Sequence, residues 1–353
     1  MVGGGLVGVH CLVVTVPYSN MRYCAALPGE NAEGVCAGLR TVFEHIGAVP
    51  LTLVLDTATG AGHRVAWDRV SIVQVFELFV EHYRLETRFC NPNSGNEKGS
   101  VENAVGFLRR NIMVPLLNAE SYAQLTRYML ERCDAMAKET HYRKGAPIGG
   151  LFAEEKAEMQ PLPSKPCGAS RWEVRKADKD GRVQVDGNHY RAGPSWRGWT
   201  LDVALRAFDV TIRTQDGRTC ARLPRVYGDS PATIRDPATL LPALGRKTNA
   251  WPDSTIRDDF PDKLRLAIDR MDAKARRNAF RLIARTSDAC GFEPAVEAGE
   301  HLVEQGHPLD EASLTTMARR IASGEKPYEQ TAPDLTGYDV FMQPRGTRER
   351  KEA

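Results

Sequence analysis

Residues 89–111, FCNPNSGNEKGSVENAVGFLRRN, run from a short apolar strand through a polar, glycine-containing loop into an amphipathic helix. Pro92, Gly95 and Gly99 favour turns over helix, and Ser100 is the candidate N-cap. After it, Val101, Ala104, Val105, Leu108 and Ile112 recur at helical spacing and predict one buried stripe. At 100° per residue, Glu102 and Arg109 share a flank of that stripe, with Lys98 just before the helix and Arg110 on its far side. A strand leading into such a helix belongs to a mixed α/β fold. Two readings of its polar face stand side by side. One is a capped surface helix with Glu102 in solvent. The other is a carboxylate in the first turn, kept ionised by the helix N-terminus, holding a metal beside nucleic-acid phosphates gripped by the basic residues.

The segments before it alternate strand and helix. Residues 6–16 are apolar and β-branched, and residues 22–27 are the expected antiparallel neighbour. A helix is expected over 31–46, with Val35, Leu39, Val42, Phe43 and Ile46 inward and Gly47 ending it. Residues 51–56, LTLVLD, form a continuous apolar strand, expected in the middle of a sheet covered on both faces. That strand ends on Asp56. The C-terminal end of such a strand is where open α/β sheets place functional groups, although an Asp there also caps a turn. Ile72, Val75, Phe76, Phe79, Val80 and Tyr83 give the clearest helix, over 71–83, and residues 85–90 form the next strand.

The motif Gly95-Asn96-Glu97-Lys98-Gly99-x-Val101-Glu102-Asn103, continuing to Arg109-Arg110-Asn111, resembles the catalytic helix of IstA-like insertion-sequence transposases. These belong to the DDE (integrase-core) superfamily and have a ribonuclease-H-like fold. Asp56-Thr57-Ala58-Thr59-Gly60 is similar to the family's Asp-Asn-Ala-Thr-Gly, with Thr57 in place of the usual Asn. The resemblance implies that Asp56 and Glu102 are the second and third acids of a triad that binds Mg²⁺ as a two-metal site. It also implies that Lys98, Arg109 and Arg110 contact DNA, and that the partners are element ends, target DNA, an AAA+ ATPase helper and further copies of the chain in a transpososome. The family's first Asp lies on a strand for which this chain has no counterpart, since residues 1–55 contain no Asp. The expectation is therefore an integrase core shortened at its N-terminus, impaired in Mg²⁺-dependent cleavage and strand transfer. The alternatives are a non-catalytic DNA-binding or assembly fragment and a ribonuclease-H-fold nuclease.

The expected organisation is a ribonuclease-H-like core over 1–142 without its first strand, a Pro- and Gly-rich linker over 143–170, and a small all-β barrel over 171–228. A helical region over 258–325 and a charged, Pro-containing tail over 326–353, expected to be disordered, complete it. Within 143–170 a short helix is expected at 148–158, and residues 120–141 precede it as a longer one. The barrel segment 171–225 carries twelve Lys/Arg against seven Asp/Glu, interleaved with Trp172, Tyr190, Trp196 and Trp199. That mixture suits phosphate contact, as it also suits a solvated barrel with a tryptophan core. In the helical region Leu264, Ile268, Met271, Ala275, Ala279 and Leu282 read as one stripe, beside the basic run 274–277 and Arg281.

The net charge of +2 places any nucleic-acid surface locally. The eight cysteines show no zinc spacing, and Cys11, Cys24, Cys36 and Cys90, in apolar segments, are expected as buried thiols of a reducing cytoplasm. No apolar run reaches membrane-spanning length, and the glycines near Met1 do not form a dinucleotide-binding motif.

Overall fold

The computed structural model describes residues 1–55, 62–66, 69–90, 95–228 and 230–324, with side chains left out at 62–72 and 95–101. The chain divides into two compact units, Met1–Thr239 and Leu240–Ala353. The content is mixed α/β, with several small sheets in the first unit and helices in the second.

The first unit opens with an antiparallel hairpin of β1 (His10–Val16) and β2 (Met21–Leu27). Helix α1 (Ala32–Ile46) follows, ended by Gly47 as its sequence predicts. The Asn31 side chain accepts from the Gly34 N–H, and Gly47 ends the helix at φ 74°, which glycine adopts without a Cβ clash. All five predicted inward residues of α1 are buried. Next come β3 (Ala48–Val49), β4 (Thr52–Leu55), the hairpin β5 (Gly62–Ala66) with β6 (Arg69–Ile72), α2 (Gln74–Tyr83), β7 (Glu86–Phe89) and α3 (Gly95–Asn111). Then follow α4 (Tyr122–Met136), α5 (Ile148–Ala157) and β8 (Gln160–Pro161), which pairs with β3.

Two expectations are corrected here. Helix α2 starts at Gln74, because the residues up to Ile72 are drawn into the β5–β6 hairpin. Its stripe otherwise holds, with Val75, Phe76, Phe79 and Tyr83 buried. Strand β4 is not covered on both faces. Among the described residues it pairs only with β7, and its side chains alternate: Leu53 and Leu55 are buried while Val54 is 58% exposed. A short apolar run reads the same whether one face or both are covered, so its sequence does not separate the cases.

Two cores sandwich the β1–β2 hairpin. One joins Val35, Leu39 and Phe43 of α1 with Leu53, Leu55 and the aromatic face of α2, and Leu12 of β1 packs on it. The other joins β2 with Leu108 and Ile112 of α3 and Leu125, Met129 and Cys133 of α4, and Val13 packs there.

Strands β9 (Arg171–Lys176), β10 (Arg182–Val185), β11 (Asn188–Arg191), β12 (Thr200–Leu205), β13 (Asp209–Thr214), β14 (Thr219–Pro224) and β15 (Thr233–Ile234) form two sheets. Their orders are β14-β13-β12-β9 and β10-β11-β15, and Val183, Tyr190, Leu201, Val203 and Ile212 share one core between them. The β10–β11 turn is Asp186-Gly187, at φ 48° and 79°. Paired positive φ values are what a two-residue hairpin with right-twisted strands requires.

The second unit holds α6 (Leu241–Leu244), α7 (Asp262–Arg270), α8 (Ala273–Cys290), α9 (Phe292–Glu304) and α10 (Glu311–Ala322). The single stripe predicted across 264–282 breaks between α7 and α8, where Asp272 caps α8 by accepting from the Lys274 and Ala275 N–H groups. The periodicity restarts after the cap. Ala279, Phe280 and Ile283 turn inward and Ala275 faces solvent. Trp251 is fully buried against Phe260 and Phe280.

Candidate metal and nucleic-acid site

Strand β4 runs parallel to β7, with Leu55 beside Phe89, and the Cys90 N–H donates to the Leu55 carbonyl at 2.9 Å. The chain therefore leaves both strands at the same end of the pair. One exit leads directly to Asp56 and the other, after residues 91–94, to α3. Asp56 and the Thr57–Gly60 motif lie outside the described residues.

Helix α3 begins at Gly95, five residues before the predicted cap. Gly95 and Gly99 each cost a helix only about 1 kcal/mol relative to Ala, which docking of the helix offsets. Lys98 is thus inside the helix, and Glu102 stands in its third turn, not its first. The electrostatic help of the helix N-terminus is correspondingly smaller at Glu102. Ala104, Leu108 and Ile112 form the buried face as predicted, but Val105 is 46% exposed.

Glu102, Arg109 and Arg110 are all exposed, and among the described residues Glu102 has no ion-pair partner. The Arg110 guanidinium lies close to Gly106, where an added Cβ would stand 3.2 Å from Arg110 Nη1. One face of α3 thus fixes the helix and the opposite side offers a carboxylate and cations to a ligand. Among the described residues no three His, Cys, Asp or Glu side chains come together as a metal site. One of the two candidate ligands, Glu102, is described. Its hard oxygen donors suit Mg²⁺.

The β sheets add a second polar surface. Tyr190 is core, whereas Trp172 and Trp199 are about half exposed. The guanidinium of Arg213 lies 5.7 Å from the Trp172 ring centroid, and that of Arg218 lies 4.7 Å from the Trp196 centroid. Much of the remaining basic charge is spent internally. Arg182 pairs with Asp178 and Asp180, and Arg206 and Arg222 both pair with Asp209.

An ion-pair network buried at Glu33 and Arg225 and open to solvent at Asp186 and Arg175, not anticipated from the sequence, ties α1 to these sheets. Glu33, in the first turn of α1, is almost fully buried and lies 3.2 Å from Arg171 Nε and 3.8 Å from Arg225 Nη1. Asp186 takes Arg171 Nη2 at 2.6 Å and Arg225 Nη2 at 2.9 Å. Glu173 and Arg175 extend the network and leave it neutral. Burial alone would lower the Arg171 pKa, but the hydrogen bond and charge of Asp186, with Glu33 and Glu173, raise it above the ordinary arginine value. Beside the network Asn31 donates to the Tyr227 hydroxyl at 3.4 Å, and that hydroxyl donates to the Ala207 carbonyl at 2.7 Å. The Tyr227 ring sits so close to Gly29 that an added Cβ would be 2.6 Å from it, so the approach needs glycine. These residues have no local signature in sequence, because each is an ordinary charged residue until the fold assembles them.

The chain is similar to insertion-sequence transposases of the IstA type. Residues 162–236 match the family described as Mu transposase, C-terminal domain, which takes in both β sheets. The transposase for insertion sequence element IS21 of Pseudomonas aeruginosa is 25% identical over 210 residues, 59% of this chain and 54% of that protein. The transposase for insertion sequences IS1326/IS1353 of the same organism is 28% identical over 194 residues, 54% of this chain and 38% of that one. A transposase of Aminobacter aminovorans is 27% identical over 230 residues, 63% of this chain and 45% of its own length. The chain thus spans about half or less of each of these curated relatives.

Proposed function

We propose that this chain is a transposase subunit acting on insertion-sequence ends, with a ribonuclease-H-like core whose metal ligands are Asp56 and Glu102. The observation that carries the reading is the parallel β4–β7 pair, whose adjacent ends lead to Asp56 and to the helix bearing Glu102. Similarity to insertion-sequence transposases supports it. Mg²⁺ bound by the two carboxylates would activate the attacking oxygen and stabilise the leaving one in phosphoryl transfer. The chain's own cations position the substrate: Lys98, Arg109 and Arg110 hold backbone phosphates beside the acids, and Arg213 and Arg218 with their tryptophans extend the track along the β sheets. The buried network around Glu33 keeps the core and the sheets in one geometry, so both can engage one duplex. The reading includes an AAA+ ATPase helper, assembly of several copies on DNA and a cytoplasmic location. No described helix is long and apolar enough to cross a membrane.

Two carboxylates make a weak Mg²⁺ site, since Mg²⁺ keeps most of its waters unless several ligands converge. The weakness of a two-carboxylate site favours a second reading, in which the chain binds DNA and joins an assembly with little or no catalysis of its own. The test is Mg²⁺-dependent joining of labelled element ends by the purified chain, alone and with Glu102→Gln. Joining that Glu102→Gln abolishes supports the catalytic reading. End binding without joining supports the second, and failure to bind DNA contradicts both.

A further inference from the structure

The second unit is electrically balanced, with thirteen Lys/Arg and thirteen Asp/Glu between residues 240 and 324, yet its charges are sorted by helix. Lys274, Arg277, Arg281 and Arg285 of α8 are all exposed and follow one another at intervals of three, four and four residues. At 100° per residue they fall within an arc of about 80°, a single line along the helix. The opposite side of α8 is buried through Ala279, Phe280 and Ile283, so the line is presented on a fixed support. Helix α9 has the complementary pattern, with Glu293, Glu297, Glu300 and Glu304 and no Lys or Arg.

The two lines differ in how far they are already neutralised. On α9, Glu300 accepts from the Lys263 N–H, Glu304 pairs with the Lys263 ammonium at 2.6 Å, and His301 lies within 4 Å of both Glu297 and Glu304. On α8, Arg285 alone has a described ionic partner, Glu311 at 3.7 Å, and both side chains are about 70% exposed. Lys274, Arg277 and Arg281 have no ion pair within 4 Å among the described residues, although the charge of Lys274 is felt by the capping carboxylate of Asp272. The stem of Arg281 lies beside Gly245, where an added Cβ would meet its Cγ at 3.5 Å, and Lys247, also exposed, follows shortly after.

We infer that the exposed face of α8 is a second DNA-binding surface, contacting duplex phosphates through Lys274, Arg277, Arg281 and Arg285 without reading sequence. The inference rests on the reading of this chain as DNA-acting only in naming DNA as the polyanion. A line of cations about 16 Å long faces roughly ten duplex phosphate charges over the same distance. Three of the four are arginines, whose planar fork takes phosphate oxygens in pairs. The acidic line of a second copy is the poorer partner, because its own unit already occupies most of it. The balance of charge over residues 240–324 confines the attraction to this face and away from α9.

The experiment measures binding of the full chain to a short mixed-sequence duplex across a salt series. It compares the parent, a triple Lys274→Gln/Arg277→Gln/Arg281→Gln variant, and a charge-retaining Arg277→Lys/Arg281→Lys variant. The triple variant is expected to bind about ten-fold or more weakly at low salt, with its log–log salt slope shallower by about two to three, while the lysine variant keeps the parent's slope. Should the triple variant fold poorly, the single glutamine variants each lower the slope by about one. Parental affinity and slope in the glutamine variants would overturn the inference. So would loss of self-association at low salt with duplex binding intact, which would assign the face to a second copy. Glu102→Gln separates the two proposals, because it removes joining under the catalytic reading and leaves the α8-dependent slope unchanged.

Discussion

Trp251 is fully buried, and its indole N–H donates to Asp269 Oδ1 at 2.7 Å while Arg257 holds Oδ2 at 2.5 Å. Burial alone would raise the Asp269 carboxyl, but these two hydrogen bonds outweigh it and bring the pKa below the ordinary aspartate value. A depressed carboxylate pKa contributes stability above its unfolded value and loses it as pH falls through the folded value. The contribution of Asp269 is therefore expected to be constant above about pH 5 and to be lost progressively below about pH 4. Asp269→Ala leaves the buried indole without an acceptor and is expected to cost about 1–3 kcal/mol, measured by urea unfolding followed through tryptophan fluorescence. An acid transition unchanged by Asp269→Ala would show that another group sets it. Asp209, held low by Arg222, Thr211 and Arg206 against the opposing effect of burial, gives the β sheets the same direction of pH dependence. Asp269 was not identifiable from its neighbours in sequence, since Trp251 and Arg257 reach it only through the fold.

At the scale of elements, what periodicity and capping encode was legible. Helix α1 has the C-terminal glycine and inner face its sequence implies, and the Asp-Gly pair at 186–187 makes a two-residue hairpin turn of the kind that dipeptide favours. The boundaries of α3 were not legible, because turn-favouring glycines compete locally with a docked helix and the docking prevails. Leu108 is the anchor of that docking, so Leu108→Ala is expected to cost about 2–5 kcal/mol and to loosen the helix that carries Glu102. Hydrogen exchange over residues 102–112 would report it, and exchange as slow as in the parent would contradict it. The ion-pair network lies between elements remote in sequence, which is why no local pattern announced it. Arg225→Met strips Glu33 of one of its two cations and is expected to cost about 3–5 kcal/mol, whereas Arg225→Met with Glu33→Leu should recover part of that loss. Equal destabilisation in both variants would mean that packing, not buried charge, joins α1 to the β sheets.

For the whole molecule, the strand and helix pattern conveyed the α/β, all-β and helical segments, and the motif around Glu102 conveyed the relationship to transposases. The net charge conveyed almost nothing. It is near zero because 47 Lys/Arg nearly balance 45 Asp/Glu, and it hides the sorting of bases onto α8 and acids onto α9. Sorting of that kind depends on which face each helix buries, so it emerges only with the fold. The central claim is that Asp56 and Glu102 converge on one divalent metal. Calorimetric titration of Mg²⁺ and Mn²⁺ into the parent chain, Asp56→Ala and Glu102→Ala tests it, with circular dichroism confirming that each is folded. The account predicts binding by the parent, tighter for Mn²⁺, that is lost in both variants. Binding that survives either substitution, or no binding by a folded parent, would contradict it.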